Sequence, residues 1–168
     1  MTRLLTPAPL TPKGFSPFGE VIDTAAADPL LINQGFASRF DDLADIDVEQ
    51  EGGRPCLSIF RARARAFPLA ITMMERHPLG SQAFMPLSGN PFLVVVAPAG
   101  DAPPFEGLQA FLVGPGQGVN YRRGVWHFPL IALHEGDSFL VIDRAGPGDN
   151  LEEAELGEAT ARIADPGA

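Results

Sequence analysis

Cysteine is almost missing: Cys56 is the only one among 168 residues. No intrachain disulfide can form, so packing and hydrogen bonding must hold the fold, and a lone thiol fits a reducing compartment. Positive charge is also scarce. Twelve Lys and Arg stand against 21 Asp and Glu, a formal net charge of −9 and a pI near 4.7. That balance argues against nucleic acid or an anionic membrane surface as a partner. It leaves room for a small anionic substrate, because a local cluster of Arg can override the global sign. Long apolar runs are lacking too. The longest, Phe92 to Ala99, is far short of the ~20 residues a spanning helix needs. The opening segment carries Arg3, Pro7, Pro9 and Pro12 and has no apolar core of the signal-peptide kind. The expectation is a soluble, cytoplasmic protein.

What is abundant is punctuation. Gly (18) and Pro (17) interrupt the chain at intervals of roughly eight to twelve residues, with short β-rich runs between, the pattern of an all-β sandwich or barrel. The length and the 45% hydrophobic content fit one domain spanning residues 1–168. Short strands are expected at Glu20–Asp23 and Leu30–Ile32. Phe92–Ala97 is apolar on both faces and reads as a central strand. Ser58–Phe67 alternates strictly, with Ile59, Arg61, Arg63, Arg65 and Phe67 on one face and Phe60 and three alanines on the other. Either the arginines are solvated, or Arg61 at least lines an anion pocket. Only Leu151–Ile163 carries helical spacing, with Gly157 as a weak point.

Two stretches carry the chemistry. A strand from Ile71 to His77 would put Ile71, Met73, Glu75 and His77 on one face, with a turn at Pro78–Ser81 and Gln82 opening the next strand. About fifty residues on, Gly116–His127 offers Asn120, Arg123, Trp126 and His127. Cupins place metal ligands on two hairpins of a small barrel, in a motif G-x5-H-x-H-x(3,4)-E-x6-G followed by G-x5-P-x-G-x2-H-x3-N. Here Glu75 and His77 fall at the H-x-H positions, Gln82 at the Glu and Gly89 at the closing Gly. In the second motif Gly116, Gly124 and His127 fall in place. Leu69, Arg122 and Ile131 depart from the pattern, standing where Gly, Pro and Asn belong. In a barrel alternate residues point inward, so Glu75, His77, Gln82 and His127 would share one cavity, a mixed N/O set compatible with nickel, manganese, iron or zinc. A hydrogen-bonded Glu75–His77 pair without metal is the plainer alternative. There is no phosphate-binding Gly loop and no nucleophile elbow, and Cys56 has no partner in sequence to activate it.

At these residues the chain resembles the ureidoglycolate lyase family, formerly called ureidoglycolate hydrolases. The strings Glu75–Phe84 (ERHPLGSQAF) and Gly116–Leu130 (GQGVNYRRGVWHFPL) carry the resemblance. So do Ile32–Gly35, Arg39 with Asp42-Leu43-Ala44, Ser58-Ile59 with Arg61-Ala62, Phe92–Val96 and Phe139–Arg144. It implies a mainly β, cupin-like antiparallel β-barrel (double-stranded β-helix), to which the helical reading of the tail adds a short C-terminal helix. It also implies a homodimer and cleavage of (S)-ureidoglycolate to glyoxylate and urea in allantoin degradation. It suggests nickel as the metal on Glu75, His77, Gln82 and His127, with a metal-free enzyme as the alternative. Such a cleavage needs a base and an acid, for which His77, His127 and Glu75 are the candidates. Arg61 and Arg123 would hold the substrate carboxylate. Asn120 and Gln82 would hold the urea end, and Trp126 would wall the cavity or else pack outside it. Asp143 would orient a ligand or cap a strand. The competing readings are a hydrolase that releases ammonia from the same substrate, a cupin isomerase or dioxygenase, and a non-catalytic cupin module that binds a small acid.

Overall fold

The computed structural model describes residues 2–25, 27–157 and 160–167. Its frame is mainly β, as expected. Two large sheets face each other in a cupin-like sandwich. The seven-stranded sheet runs Glu152–Glu155, Met73–Arg76, Trp126–His127, Phe92–Ala97, Gln109–Val113 and Ala8–Pro9, with Ile131–Ala132 also on Phe92–Ala97. The five-stranded sheet runs Gly19–Ile22, Gly118–Tyr121, Gln82–Pro86, Ser138–Ala145 and Arg54–Arg61. A three-stranded sheet of Thr2–Leu5, Thr160–Ile163 and Leu69–Ile71 covers the outer side of the first. Pairing is antiparallel except where the first two strands join, Thr2–Leu5 on Thr160–Ile163 and Ala8–Pro9 on Gln109–Val113.

Phe92–Ala97 is buried throughout, and its alternation feeds two cores. Phe92, Val94 and Val96 point between the large sheets, where they meet Phe84, Val119, Phe139 and Val141 from the opposite sheet. Leu93, Val95 and Ala97 point outward, where they meet Ile71, Ala161 and Ile163 of the covering sheet. Each such side chain contributes roughly 1.5–3 kcal/mol when fully buried. The inner core is aromatic at one end: Phe15, at the close of a helical turn capped by Thr11, packs edge-on against Phe111 at 5.7 Å.

The expected C-terminal helix is not there. Glu152–Glu155 pairs antiparallel with Met73–Arg76, and Thr160–Ile163 pairs with Leu69–Ile71. Ala161 and Ile163 are buried while Arg162 is exposed, a period of two. Gly157 takes a left-handed backbone (φ +64°) between the strands, which ends any helix there. Glu158, part of the expected helical face, lies outside the described residues. Open sheet edges outweighed the local helical preference of Glu and Ala. Among the described residues no helix is long and apolar enough to cross a membrane.

Candidate active site

Met73–Arg76 sends Met74 into the outer core and Glu75 inward, toward the space between the sheets. The strand expected over Ile71–His77 is broken at Thr72, whose carbonyl accepts from Leu156 N. Ile71 therefore packs in the outer core with Met74 and does not share the face of Glu75. His77 follows the strand end, and its Nδ1 lies 2.7 Å from the Asn150 carbonyl. The chain then turns beneath Arg144. At Gly80 a Cβ would come within 2.7 Å of Arg144 Cβ, so the turn requires glycine. Gln82 opens the following strand. His127 arrives from the other stretch on the short strand Trp126–His127, directly opposite Glu75 in the ladder. The two stretches meet.

Glu75 Oε1 and His127 Nε2 lie 3.3 Å apart, and the two imidazole centroids 5.2 Å apart. Tyr121 stacks on His127 at 4.2 Å with 11° between the ring planes. A carbonyl only accepts, so the 3.2 Å contact from His127 Nδ1 to Val125 O places a proton on Nδ1. In the neutral ring the Nε2 lone pair then faces a carboxylate. His127 is 2% exposed, and its Nε2 has no partner with hydrogen-bond geometry despite the close Glu75 oxygen. His77 is placed similarly. With Nδ1 donating to Asn150, its Nε2 looks onto Gln82 Oε1 at 3.1 Å, and Asp143 fixes that amide by accepting from Gln82 Nε2 at 3.4 Å.

Burial lowers the proton affinity of His127, and the carboxylate of Glu75 close to its Nε2 only partly opposes it. Burial pushes the Glu75 carboxyl up, but the contact with His127 and the charges of both imidazoles outweigh it and hold it below the usual range. We read the pair as an ionised carboxylate beside a neutral imidazole. Desolvation, reinforced by Glu75, raises the Tyr121 phenol so far that it stays neutral. Glu75, His77 and His127 offer ligand atoms all within 4.8 Å of one another. Two nitrogens and a carboxylate suit a borderline divalent metal, and the unpartnered Nε2 of His127 is the kind of buried atom such an ion would satisfy. The residues fit a metal, and Gln82 Oε1 lies beside them.

The cavity at this point has a volume of about 390 Å³. Its walls include Phe60, Phe84 and Leu130, and its mouth carries Arg61 and Arg65. Arg61 lines the cavity and is at the same time exposed, and the strand ends there. Ala62 N bonds to Asp137 O and ends the alternation expected through Phe67. Three other predicted binding residues are not brought to the cavity. Asn120 and Arg123 line a separate recess on the far side of the five-stranded sheet, because Tyr121 takes the inward position and alternation turns Asn120 out. Trp126 is buried in the outer core, with its indole N–H on Gly100 O at 3.0 Å and Arg76 above its ring at 4.7 Å. It packs outside the sandwich. Sequence reasoning missed Tyr121, Arg65 and Asn150. Arg65 was visible on the arginine face, and Tyr121 would have followed from fixing the inward parity on either neighbour.

Comparison with known proteins points to one family. A family model described as ureidoglycolate lyase matches residues 2–163. A protein named ureidoglycolate lyase from Azotobacter vinelandii (strain DJ / ATCC BAA-1303) is 54% identical over 93% of this chain and 94% of its own. One of the same name from Burkholderia mallei (strain NCTC 10229) is 53% identical over 94% and 92%. Another from Pseudomonas syringae pv. syringae (strain B728a) is 51% identical over 98% and 96%.

Proposed function

The chain belongs to the ureidoglycolate lyase family, and from that premise we propose that it is a carbon–nitrogen lyase cleaving (S)-ureidoglycolate to glyoxylate and urea in allantoin degradation. The observation that carries the site is the convergence of Glu75, His77 and His127, from two distant stretches, to ligand atoms within 4.8 Å of one another beside a cavity that Glu75 lines, with the Nε2 of His127 unpartnered.

The substrate is a carbinolamide with a carboxylate on the reacting carbon. Arg61 and Arg65 at the mouth hold that carboxylate in their guanidinium forks. His127 Nε2, kept neutral by burial, takes the hydroxyl proton, and Glu75 stabilises the imidazolium that results. The oxygen's electron pair forms the aldehyde C=O of glyoxylate, and the C–N bond breaks with its pair going to the ureido nitrogen. His77, entering the reaction as the imidazolium with Nδ1–H on the Asn150 carbonyl and Nε2–H on Gln82 Oε1, gives its Nε2 proton to that nitrogen, and urea leaves. Tyr121 holds the His127 ring plane by stacking. Glu75, His77 and His127, with Gln82 beside them, would hold a divalent metal such as nickel through those same ring nitrogens, and the metal would then supply Lewis-acid activation of the hydroxyl in place of the His127 base.

We further read the whole chain as one cytoplasmic domain that works as a homodimer. The edge strand Arg54–Arg61 exposes Leu57 and Ile59, and the nearby-in-sequence hairpin of Leu30–Ile32 and Ala37–Arg39 exposes Leu30 and Leu31, a set of apolar side chains that supports a subunit contact.

The test is a product assay on (S)-ureidoglycolate that follows urea, glyoxylate and ammonia together, beside an enzyme-free control and a chelator-treated sample. Equal urea and glyoxylate above the control are expected. Ammonia in place of urea would overturn the lyase reading, and loss of activity with chelator would assign the triad to a metal.

A further inference from the structure

Behind the catalytic cavity, on the outer face of the five-stranded sheet, lies a second recess of about 180 Å³. Strand alternation builds the two back to back. Gln82 and Tyr121 face the catalytic side, while their neighbours Ser81 and Asn120 face the recess. Both of these are 1% exposed, and both carry an atom without a hydrogen-bond partner, Ser81 Oγ and Asn120 Oδ1. The Asn120 amide nitrogen is fully engaged, donating to Glu20 Oε2 at 2.9 Å and to the Asp45 carbonyl at 2.8 Å. That fixes which end of the amide is nitrogen, so the unsatisfied atom is an acceptor oxygen. Gly19, the ladder partner of Tyr121, has φ +153°, and a Cβ there would come within 1.8 Å of the Asn120 carbonyl, so the strand beside Asn120 tolerates no side chain at that point.

The rim is charged: Glu20, Asp45 and Asp47 against Arg122 and Arg123. Arg123 pairs with Asp47 at 3.3 Å and Arg122 reaches Glu20 at 4.0 Å, while Asp45 is exposed. Carboxylates outnumber guanidinium groups by three to two. The carboxylates are nonetheless spread out. Among the described residues, only Glu75, His77 and His127 bring three such ligand atoms within 4.8 Å of one another, so this is not a cradle for a compact ion. Separated acceptors suit a planar ligand with several N–H groups. The Ser81 hydroxyl and the guanidinium groups can donate to a carbonyl oxygen on the same ligand.

We propose that this recess binds a small ureido compound, urea being the simplest, through Asn120 Oδ1, Ser81 and Asp45. That the same molecule is released on the other side of the sheet rests on the lyase reading; the complementarity of the recess does not.

The experiment is an NMR titration of the full-length, ¹⁵N-labelled protein, following the Asn120 side-chain amide with urea below denaturing concentrations, N-methylurea, acetate and calcium chloride in separate arms. Saturable shifts with urea and N-methylurea are expected. In Ser81→Ala, which removes a buried hydroxyl that has no partner to lose, affinity should fall about fivefold or more. Asp45→Asn, on the exposed rim, should weaken binding in the same direction and guards against a folding defect in the first variant. Saturation by calcium alone would overturn the proposal in favour of a cation site. Shifts with no saturation in any arm, or equal urea affinity in both variants, would overturn it in favour of ordered solvent. Because binding is read without turnover, a chain that makes urea yet fails this titration refutes the recess alone, and one that binds urea without turnover refutes the lyase alone.

Discussion

Replacing Glu75 with Gln removes a charge and keeps the shape, and the structure sets how much that charge is worth. The Glu75 oxygen stands 3.3 Å from His127 Nε2. Once His127 has taken the substrate proton, the facing charges attract by about 5 kcal/mol at an effective dielectric constant of about 20. In rate this is a ceiling of between three and four powers of ten. Loss of a positioned acid or base typically costs about 10²–10⁴, so Glu75→Gln should lower kcat by that amount with a smaller change in KM. The pH profile supplies a second readout. Burial lowers the proton affinity of His127, and Glu75 raises it against that trend. Without the carboxylate the imidazole protonates at still lower pH, so the acid limb of kcat/KM moves down while the plateau falls. Urea and glyoxylate release would be followed from about pH 5 to 9, around the ordinary imidazole range, with a thermal melt of each protein. Near-normal kcat in a folded variant, or an acid limb that moves up, would refute the pairing of Glu75 with a catalytic His127.

Stability should also fall with acid. The folded-state proton affinity of His127 is depressed, so the unfolded chain protonates first as pH drops through about 6.5. The stabilisation is therefore present above that value and is lost as pH falls toward the folded value. An unfolding midpoint that stays level between pH 7 and 5 would contradict this; the depressed Glu75 carboxyl adds a further loss as pH falls below about 4.5. Arg61→Gln and Arg65→Gln should each raise KM about tenfold to a hundredfold, the worth of a charge-assisted hydrogen bond, with kcat little changed; steady-state kinetics with unaltered KM in both would remove the carboxylate from the mouth. Leu57→Asp places a charge on a side chain that is 67% exposed on the edge strand and should halve the particle mass by light scattering without loss of fold. An unchanged mass would move the subunit contact elsewhere.

Legibility in the sequence tracked how local each cause was. Leu30–Ile32 and Phe92–Ala97 form where their patterns place them, because a β-branched run between turn residues has few alternatives. The pairing of Glu75 and His77 with His127 was legible for a similar reason. The spacing is what two facing hairpins require, and the structure puts Glu75 and His127 in one ladder position. What failed depended on distant partners. The Glu- and Ala-rich tail reads as helix until the open edge of Met73–Arg76 is known to lie beside it. The continuous strand from Ile71 fails because Leu69–Ile71 belongs to a different sheet from Met73–Arg76. Asn120 failed on parity alone, and parity also decides for Trp126 between its two readings, cavity wall and packing outside. Adjacent strand residues face opposite ways, so Trp126 could not share the cavity with His127, and placing Asn120 inside would have turned out Tyr121. That constraint was available before any coordinates.

The same parity gives the molecule built-in optics. Its single tyrosine lies flat on the candidate catalytic imidazole, and its single tryptophan sits one residue before that imidazole with a guanidinium over its ring. Tyr121 therefore sits beside the candidate catalytic imidazole, while fluorescence from Trp126 originates on the outer side of the strand that carries that imidazole. Displacement of that strand becomes a spectral signal from an unlabelled chain, assigned to one indole without mutagenesis.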